Sequence, residues 1–329
     1  LGVMPLYHTM GVRLLLAMAQ IGGSFICQHR FDPAVSLQLV DRHAVTALYL
    51  VPTLYHDLLA HPDFATTNVS SARKLGFAGA PMSDGLLRRV DAAFRPHIFV
   101  NHYGSSEIYT FTVNQQAAAK PGSAGRAGVN SQIKVIPLGS SDVGAQAVAG
   151  SSGQIIAKMA SDEAFAGYWH RPDADARAVV GGWYLTGDVG HMDEAGDLFV
   201  TGRVDDMIIS GGENILPAEI ESLLSLHPAV ADVVVAGRPD DRLGQCVAAF
   251  VIRAAPVTEA ELDAWCRASR MVDFKRPRRY EFVDTLPRSP VGKVLRRLLP
   301  ASVRSAESNP GARAGAIPAL QAEPSESGG

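Results

Sequence analysis

The sequence lacks the features that mark several common classes of protein. Its 329 residues include three cysteines, Cys27, Cys246 and Cys266, with no CxxC pair, which argues against a disulfide framework and a structural zinc site. Neither sign of charge dominates: 30 Lys and Arg against 33 Asp and Glu leave a net charge of −3, which argues against a nucleic-acid partner attracted by bulk charge. Apolar runs such as 13–26 contain Arg13, Gln20 and glycines and fall short of a membrane span.

The composition predicts a folded protein with ample material for a core. Hydrophobic residues make up 47% of the chain and charged residues 19%, and the length favours two domains. The few cysteines suit a reducing cytoplasm, and no signal peptide pattern precedes the first apolar segment. Because Leu1 opens directly into an apolar LGVMPLYH segment, we expect an N-terminally truncated fragment. Residues 302–329 are rich in Ala, Ser, Gly, Pro and Glu and are expected to be a disordered tail.

The hydrophobic pattern predicts an α/β fold. From 31 to 103, helix starts at Asp32 and Ser83 alternate with the strand-like runs VTALYL (45–50) and HIFVN (97–101), which favours a mostly parallel sheet. Between 122 and 202, short strands separated by Gly, Ser and Asp turns indicate a β-rich subdomain.

A small α+β domain is predicted after this point. It combines a helix opening at Pro217, a Thr258-x-x-Glu261 capping box and two strands. We place its boundary at Gly202–Asp206, which gives a large domain over 1–202, a small domain over 203–300 and a tail over 301–329.

Four motifs carry the chemical signal. NHYGSSE (101–107), YLTGDVG (184–190), TGRVDDMIISGGENILPAEIE (201–221) and PRSPVGKVLRR (287–297) follow one another along the chain. Together they indicate an enzyme that activates a carboxylic acid with ATP. A carboxylate is a poor electrophile, and joining it to AMP gives it a good leaving group. Such a site needs a cation at the α-phosphate, anchors on the nucleotide and a metal on the phosphates.

These segments resemble the adenylate-forming superfamily of acyl-CoA synthetases, peptide-synthetase adenylation domains and luciferases. Within it, the chain is most similar to the 4-chlorobenzoate:CoA ligase group of aryl and acyl-CoA ligases, over about Leu1 to Leu299. The resemblance implies a large domain holding the nucleotide and acid sites, and a small mobile domain. It also implies ATP and coenzyme A as cosubstrates and Mg²⁺ as a cofactor.

The resemblance implies a nucleotide pocket around NHYGSSE. Tyr103 would stack on adenine, Glu107 would approach the magnesium of ATP, and Ser106, where the family usually has Thr, would contact phosphate. Gly79 and Ala80 in FAGAP (77–81) would form the other wall, since glycine permits close approach of a flat ring. Taken alone, each motif could also be an ordinary turn, with Glu107 facing solvent.

Three further residues are implied to act on the nucleotide and the acid. Asp188 in TGD resembles the acid that accepts both ribose hydroxyls, and Arg203 would assist at the ribose or the α-phosphate. Lys293 resembles the lysine that bridges the acid's carboxylate and the α-phosphate during adenylation. The alternatives are a turn around Asp188, and a basic helix start that merely includes Lys293.

Further positions would serve the second half-reaction. Asp205 lies where the family's small domain hinges, and Gly211 and Gly212 would border the tunnel for the pantetheine arm, although a tight turn is also compatible with them. His8 in PLYH resembles the histidine that gates this tunnel, although a lone histidine in apolar sequence is more often structural.

The segment FKRPRRY (274–280) is the predicted contact for the CoA nucleotide. Paired arginines beside an aromatic ring suit a phosphate and a base, so we assign Phe274, Arg276 and Arg278 to this role. A solvated basic face is the alternative.

The chain departs from the family's pattern at two places. The Ser/Thr/Gly-rich phosphate loop ending in Pro-Lys-Gly does not occur in it, so the fragment is expected to be impaired. In addition, Leu243 stands in DRLGQC (241–246) where the closest ligases have Trp, which weakens the expectation of a CoA partner.

The leading hypothesis is therefore an ATP-dependent carboxylic acid:CoA ligase for an aryl, benzoate-type acid. A medium-chain fatty acyl-CoA synthetase, an adenylation module that loads a carrier protein, and an inactive fragment remain alternatives. The expected partners are small molecules, with no nucleic acid and no membrane span; a homodimer is one candidate for the assembly.

Overall fold

Helices and strands alternate through the first hundred residues. In the computed structural model, which describes residues 1–289 and 294–299, Asp32 caps the second helix by accepting the backbone N–H of Val35 at 3.0 Å. Ser83 caps the fourth helix by accepting the backbone N–H of Leu86 at 3.4 Å. Each cap satisfies an amide that the first helical turn leaves without a partner, and both predicted helix starts are confirmed.

The described residues form seven α-helices and fifteen strands. The helices are α1 (Thr9–Gln20), α2 (Pro33–Arg42), α3 (Pro52–Ala60), α4 (Asp84–Phe94), α5 (Pro172–Ala178), α6 (Pro217–Ser225) and α7 (Glu259–Ala268). The strands are β1 (Ala47–Leu50), β2 (Lys74–Phe77), β3 (Ile98–Tyr103), β4 (Thr112–Asn114), β5 (Ser123–Ala127), β6 (Ile133–Pro137), β7 (Gly153–Lys158), β8 (Val179–Val180), β9 (Trp183–Met192), β10 (Leu198–Arg203), β11 (Ile208–Ser210), β12 (Glu213–Ile215), β13 (Val230–Asp240), β14 (Gly244–Arg253) and β15 (Arg279–Phe282).

One ten-stranded sheet holds the first ten strands. Its order is β1-β2-β3-β4-β5-β10-β9-β7-β6, with β8 paired to β9. The first three strands are parallel, because helices connect them, and every later pair in this sheet is antiparallel. The α/β class and the parallel start are confirmed, and the strands of the β-rich stretch extend the same sheet.

A second sheet of five strands follows. Its order is β12-β11-β14-β13, with β15 parallel to β14. Helices α6 and α7 pack their apolar side chains against β13 and β14, and the Thr258–Glu261 capping box is present as predicted. The chain passes from the first sheet to the second between Arg203 and Ile208, beside the boundary that the sequence predicts.

The largest core lies between the parallel strands and the helices α2, α3 and α4. Tyr55 is fully buried at its centre, and its hydroxyl donates to the carbonyl oxygens of Leu48 and Gly76 at 3.1 and 3.0 Å. These bonds tie α3 to β1 and β2, which fixes the sheet whose carboxyl edge carries Tyr103. Among the described residues, no helix is both long and apolar enough to cross a membrane.

Candidate active site

Tyr103, Asp188 and Arg203 meet at one point although they are far apart in sequence. The Tyr103 hydroxyl donates to Asp188 Oδ2 at 2.5 Å, and Arg203 Nη1 donates to Asp188 Oδ1 at 2.8 Å. The Asp188 side chain is 14% exposed and that of Arg203 is 51% exposed. Burial, followed by the neighbouring Asp188 carboxylate, raises the pKa of Tyr103 well above its ordinary value, so the phenol stays a hydrogen-bond donor.

Strand register explains the spacing of this cluster. Asp188 on β9 and Arg203 on β10 are directly opposite each other in the antiparallel pair, so a separation of fifteen residues brings the two side chains together. Gly187 has φ +73°, and a Cβ there would lie 2.8 Å from Arg203 Nη2. Glycine before Asp188 therefore leaves room for the guanidinium as well as permitting the backbone conformation.

Glu107 lies in a turn after β3 that is built by serine. Ser105 Oγ accepts the backbone N–H groups of Glu107 and Ile108 at 3.1 and 3.2 Å, and the Tyr168 hydroxyl donates to Glu107 Oε1 at 2.8 Å. Burial opposes ionisation of Glu107, but the hydrogen bonds from Tyr168 and Ser105 outweigh it and its pKa lies below the ordinary value. Glu107 is thus ionised and oriented, while Ser106 is exposed at the tip of the turn.

The other predicted residues of the large sheet lie near the end of the parallel strands. Gly79 has φ +83° just after β2, and a Cβ at this position would come within 3.3 Å of Val51. Ala80 follows it and is half-buried. His8 precedes α1, where its Nδ1 accepts the backbone N–H of Met10 at 3.2 Å. His8 therefore caps a helix, and its role at the acid stays a prediction.

Gly211 and Gly212 form the turn between β11 and β12. Both have positive φ, +60° and +86°, as a two-residue turn of type I′ requires. The backbone N–H of Gly211 donates to the carbonyl of Leu243 at 2.9 Å, and a Cβ on Gly211 would lie 3.2 Å from Leu243 Cδ2. The structure thus contains the tight turn, and it brings Gly211 against Leu243.

The predicted CoA contacts are already paired with carboxylates. Arg276 forms ion pairs with Asp263 and Asp273, and Arg278 pairs with Asp273 at 3.0 Å. The Arg276 side chain is 12% exposed, that of Arg278 is 39% exposed, and Phe274 is 42% exposed beside them. Any phosphate would have to compete with Asp273 for these guanidinium groups.

Lys293 lies outside the described residues, so its predicted position is not observed. The segments on both sides of it are anchored by ion pairs: Arg288 to Asp232 at 2.5 Å, and Arg296 to Glu221 at 2.6 Å. The predicted hinge residue Asp205 is exposed in the short connection between the two sheets.

Against β1, β2 and β3, the structure contains a cavity of about 440 Å³, most of whose lining residues sequence reasoning did not identify. Tyr49, His102, Thr110 and Arg13 line it, and β1, β2 and β3 form one of its walls. The signal available in the sequence was the two-residue period of β3, because His102 must face away from its neighbour Tyr103. What the sequence did not contain was the pairing of β1, β2 and β3 that places Tyr49 next to His102.

Comparison of the sequence with models of known protein families identifies the family to which this chain belongs. Residues 1–169 match the model of the AMP-binding enzyme family, and residues 219–293 match the AMP-binding enzyme C-terminal domain. The chain belongs to the family of AMP-binding enzymes, and the adenylate-forming resemblance drawn from the motifs is confirmed.

Individual relatives are aryl-CoA and related synthetases. A 4-chlorobenzoate–CoA ligase from Arthrobacter sp is 37% identical over 300 residues, which cover 91% of this chain and 57% of the relative. Among solved structures, the amide bond synthetase McbA from Marinactinospora thermotolerans has a TM-score of 0.80 at 28% identity, covering 89% of this chain and 59% of the other. ATP-bound MatB from Rhodopseudomonas palustris has a TM-score of 0.79 at 31% identity, covering 90% and 58%. The chain thus spans somewhat more than half the length of these proteins.

Proposed function

We propose that the protein of which this chain is part is an ATP-dependent carboxylic acid:CoA ligase. The observation that carries the proposal is the contact of Tyr103, Asp188 and Arg203. It joins a carboxylate suited to two ribose hydroxyls, an aromatic ring and a cation at the carboxyl end of β3. The 4-chlorobenzoate–CoA ligase relative and the ATP-bound neighbour support the same reaction class.

The reaction has two steps. The acid's carboxylate oxygen attacks the α-phosphorus of ATP and pyrophosphate leaves; the CoA thiolate then attacks the acyl carbon, and AMP leaves with the bonding electron pair. In the first step Lys293 neutralises charge between the carboxylate and the α-phosphate, and His8 lies at the acid. In the second step the small domain, 203–300, rotates about Asp205. The rotation withdraws Lys293 from the site and brings in Gly211 and Gly212, which border the path of the thiol.

Glu107 is the proposed ligand of Mg²⁺. The described residues contain no group of three or more His, Cys, Asp or Glu side chains able to hold a metal. A single ionised carboxylate still fits Mg²⁺, which proteins commonly bind through one or two carboxylates together with substrate phosphates and water. When bound, the ion would offset negative charge on the phosphates, while Glu107, held by Tyr168, fixes its location.

The remaining assignments are also proposals. Gly79 and Ala80 bound the adenine, Ser106 contacts phosphate, and the acid is an aryl carboxylate, with a medium-chain fatty acid as the rival. CoA is the proposed acceptor, with its nucleotide at the basic segment 274–280; a carrier protein is the alternative, and the amide bond synthetase neighbour makes an amine a third acceptor to test. The three cysteines are all free, which supports a reducing cytoplasm.

Two measurements test the proposed function. Isothermal titration of this chain with AMP should show one site, because Asp188 and Tyr103 are both in place. Acid-dependent exchange of pyrophosphate into ATP, measured on the full reading frame that encodes the chain, should be strongest with a benzoate-series acid. Octanoate as the best acid would overturn the aryl assignment. Absence of both AMP binding and exchange would overturn the ligase.

A further inference from the structure

The cavity beside β3 has a polar end made of a continuous hydrogen-bond chain. The Tyr49 hydroxyl bonds His102 Nδ1 at 2.5 Å, and His102 Nε2 bonds Thr110 Oγ1 at 3.2 Å. Arg13 Nη1 donates to the same Thr110 oxygen at 3.4 Å, and its guanidinium lies 4.1 Å from the centre of the Tyr109 ring. Four side chains from α1, β1, β3 and the segment after β3 are thereby linked.

Counting the protons of this hydrogen-bond network shows that one donor is left over, whichever direction the hydrogen bonds take. Burial, followed by the charge of Arg13, lowers the pKa of His102 to about 4, so its ring is neutral with one donor and one acceptor nitrogen. If Tyr49 donates to His102, the Thr110 hydroxyl hydrogen is left over; if His102 donates to Tyr49, the Tyr49 hydrogen is left over. Arg13 adds further N–H groups in both cases, so this end of the cavity can donate to a ligand. The buried Tyr109 hydroxyl, which has no hydrogen-bond partner among the described residues, is a further donor and acceptor beside Arg13.

An acceptor carboxylate also lines this cavity. Glu163 is one of the lining residues, and its carbonyl oxygen accepts the backbone N–H of Tyr109 at 3.3 Å, so it lies next to the residue whose ring Arg13 covers. Glu163 Oε2 is buried and has no hydrogen-bond partner among residues 1–289 and 294–299. Within these residues, neither Glu163 nor Arg13 has an ion-pair partner within 4.0 Å. A buried polar oxygen without a partner is costly, and a ligand can satisfy it.

The pairing of a spare donor with an unsatisfied acceptor favours a substituent that both donates and accepts hydrogen bonds. A second carboxylate would suit Arg13 but repel Glu163, and an amino group would suit Glu163 but leave the donors unmet. A halogen is a poor partner for both. A hydroxyl donates one hydrogen bond and accepts others, so it serves Glu163 and the donor chain at once.

We propose that the cavity selects aryl carboxylic acids bearing a hydroxyl group, which donates to Glu163 and accepts from Arg13 and from whichever of the Thr110 and Tyr49 hydroxyls keeps its hydrogen. The proposal rests on the proposed ligase, since it takes the cavity as the acid site beside the nucleotide. His102 and Tyr103 are consecutive on β3 and face opposite sides of the sheet, so the acid and the ribose would lie on either side of that strand end.

Binding of non-reactive acyl-adenylate mimics to this chain tests the selection. The probes are 5′-O-(N-acylsulfamoyl)adenosines carrying benzoyl, 4-chlorobenzoyl, 4-carboxybenzoyl, and 2-, 3- and 4-hydroxybenzoyl groups, measured by isothermal titration beside AMP. Because a site with unpaired polar groups discriminates against ligands that leave them unpaired, we expect the best hydroxybenzoyl isomer to bind about tenfold tighter than the benzoyl and 4-chlorobenzoyl mimics.

Three variants test whether the preference for a hydroxyl group depends on Glu163 and Arg13. Glu163→Gln, which keeps the shape of the side chain, and Arg13→Met should each reduce the preference to below about threefold. Arg253→Met is the matched control: like that of Arg13, the Arg253 guanidinium lies over an aromatic ring, 4.7 Å from the centre of Phe282, but Arg253 is not among the residues that line the cavity. It should leave the preference intact, and thermal unfolding of each variant verifies its fold.

The outcomes separate the two proposals. If AMP and the benzoyl mimic bind but hydroxyl groups bring no gain, or the 4-carboxybenzoyl mimic binds best, the selection is overturned and the ligase stands. A preference that survives both Glu163→Gln and Arg13→Met, or that disappears with Arg253→Met, also overturns it. If neither AMP nor any mimic binds, both proposals fall.

Discussion

The Tyr103 phenol donates to one oxygen of Asp188 at 2.5 Å while Arg203 holds the other at 2.8 Å. Both carboxylate oxygens are therefore oriented by protein groups. A carboxylate oxygen has lone pairs for more than one hydrogen bond, so Asp188 can still accept two ribose hydroxyls. The two contacts hold the carboxylate in place, so less side-chain entropy of Asp188 would be lost when a nucleotide binds.

Asp188→Asn is expected to weaken AMP binding by about tenfold to a hundredfold, since hydrogen bonds to a charged acceptor contribute more than neutral ones. The measurement is isothermal titration of the chain with AMP and with 2′,3′-dideoxy-AMP. The dideoxy nucleotide should be insensitive to the substitution because it lacks the ribose hydroxyls. Asp173→Asn, at an exposed ion pair with Arg171, is the control. Equal losses for the two nucleotides would place Asp188 away from the ribose.

Lys293→Ala should nearly abolish adenylation. Loss of one preorganised charge at the α-phosphate removes about 3 to 4 kcal/mol of transition-state stabilisation, which is a rate loss of about 10² to 10³. Pyrophosphate exchange measures this step on the full reading frame. Conversion of preformed acyl-AMP to the thioester should remain largely intact, and Arg297→Ala controls for a nearby cation. Retained exchange in Lys293→Ala would refute the assignment.

Arg278→Met tests the CoA assignment more cleanly than any change at Arg276. Arg276 is bound by two carboxylates, so its removal also perturbs the small domain. The Michaelis constant for CoA should rise about five- to tenfold in Arg278→Met with little change in kcat, because a lost phosphate contact removes uniform binding. Arg267→Met, which also removes an ion-paired arginine, is the control. An unchanged Michaelis constant for CoA would show that the segment 274–280 is a solvated basic face.

Gly212→Ala should destabilise the chain by about 1 to 2 kcal/mol, because a side chain raises the energy of a left-handed backbone. No atom lies within 4 Å of a Cβ placed at Gly212, so the cost comes from the backbone alone. Gly212→Asn should cost less, since asparagine tolerates this conformation. Urea unfolding of both variants measures the difference, and equal free energies of unfolding would contradict the strain argument.

His102 should make stability fall in acid. Burial lowers its pKa to about 4, against about 6.5 when unfolded, so between these values the unfolded state binds a proton that the folded state does not. The stability contribution is present above pH 6.5 and is lost as the pH falls towards 4. Urea unfolding at pH 7.5 and 4.5 should show a loss about 2 kcal/mol larger for the parent chain than for His102→Gln. Equal losses would show that His102 is not buried as a neutral ring.

Local signals were sufficient for much of the fold. Asp32, Ser83 and Thr258 predicted helix starts because a cap acts within three residues of itself. The resemblance of the motifs around Asp188 and Arg203 predicted that the two residues serve one site, and the register of one antiparallel pair brings their side chains together.

The sequence by itself determined the caps, the strand runs and the family, all of which depend on neighbours close along the chain. Only the tertiary structure decided which distant side chains share a cavity, as with Tyr49 and His102, or Arg13 and Glu163. It also decided that Arg276 and Arg278 are paired with Asp263 and Asp273. The physical reason is that burial and ion pairing depend on distances through space, which strand pairing and helix packing set and which no local pattern encodes.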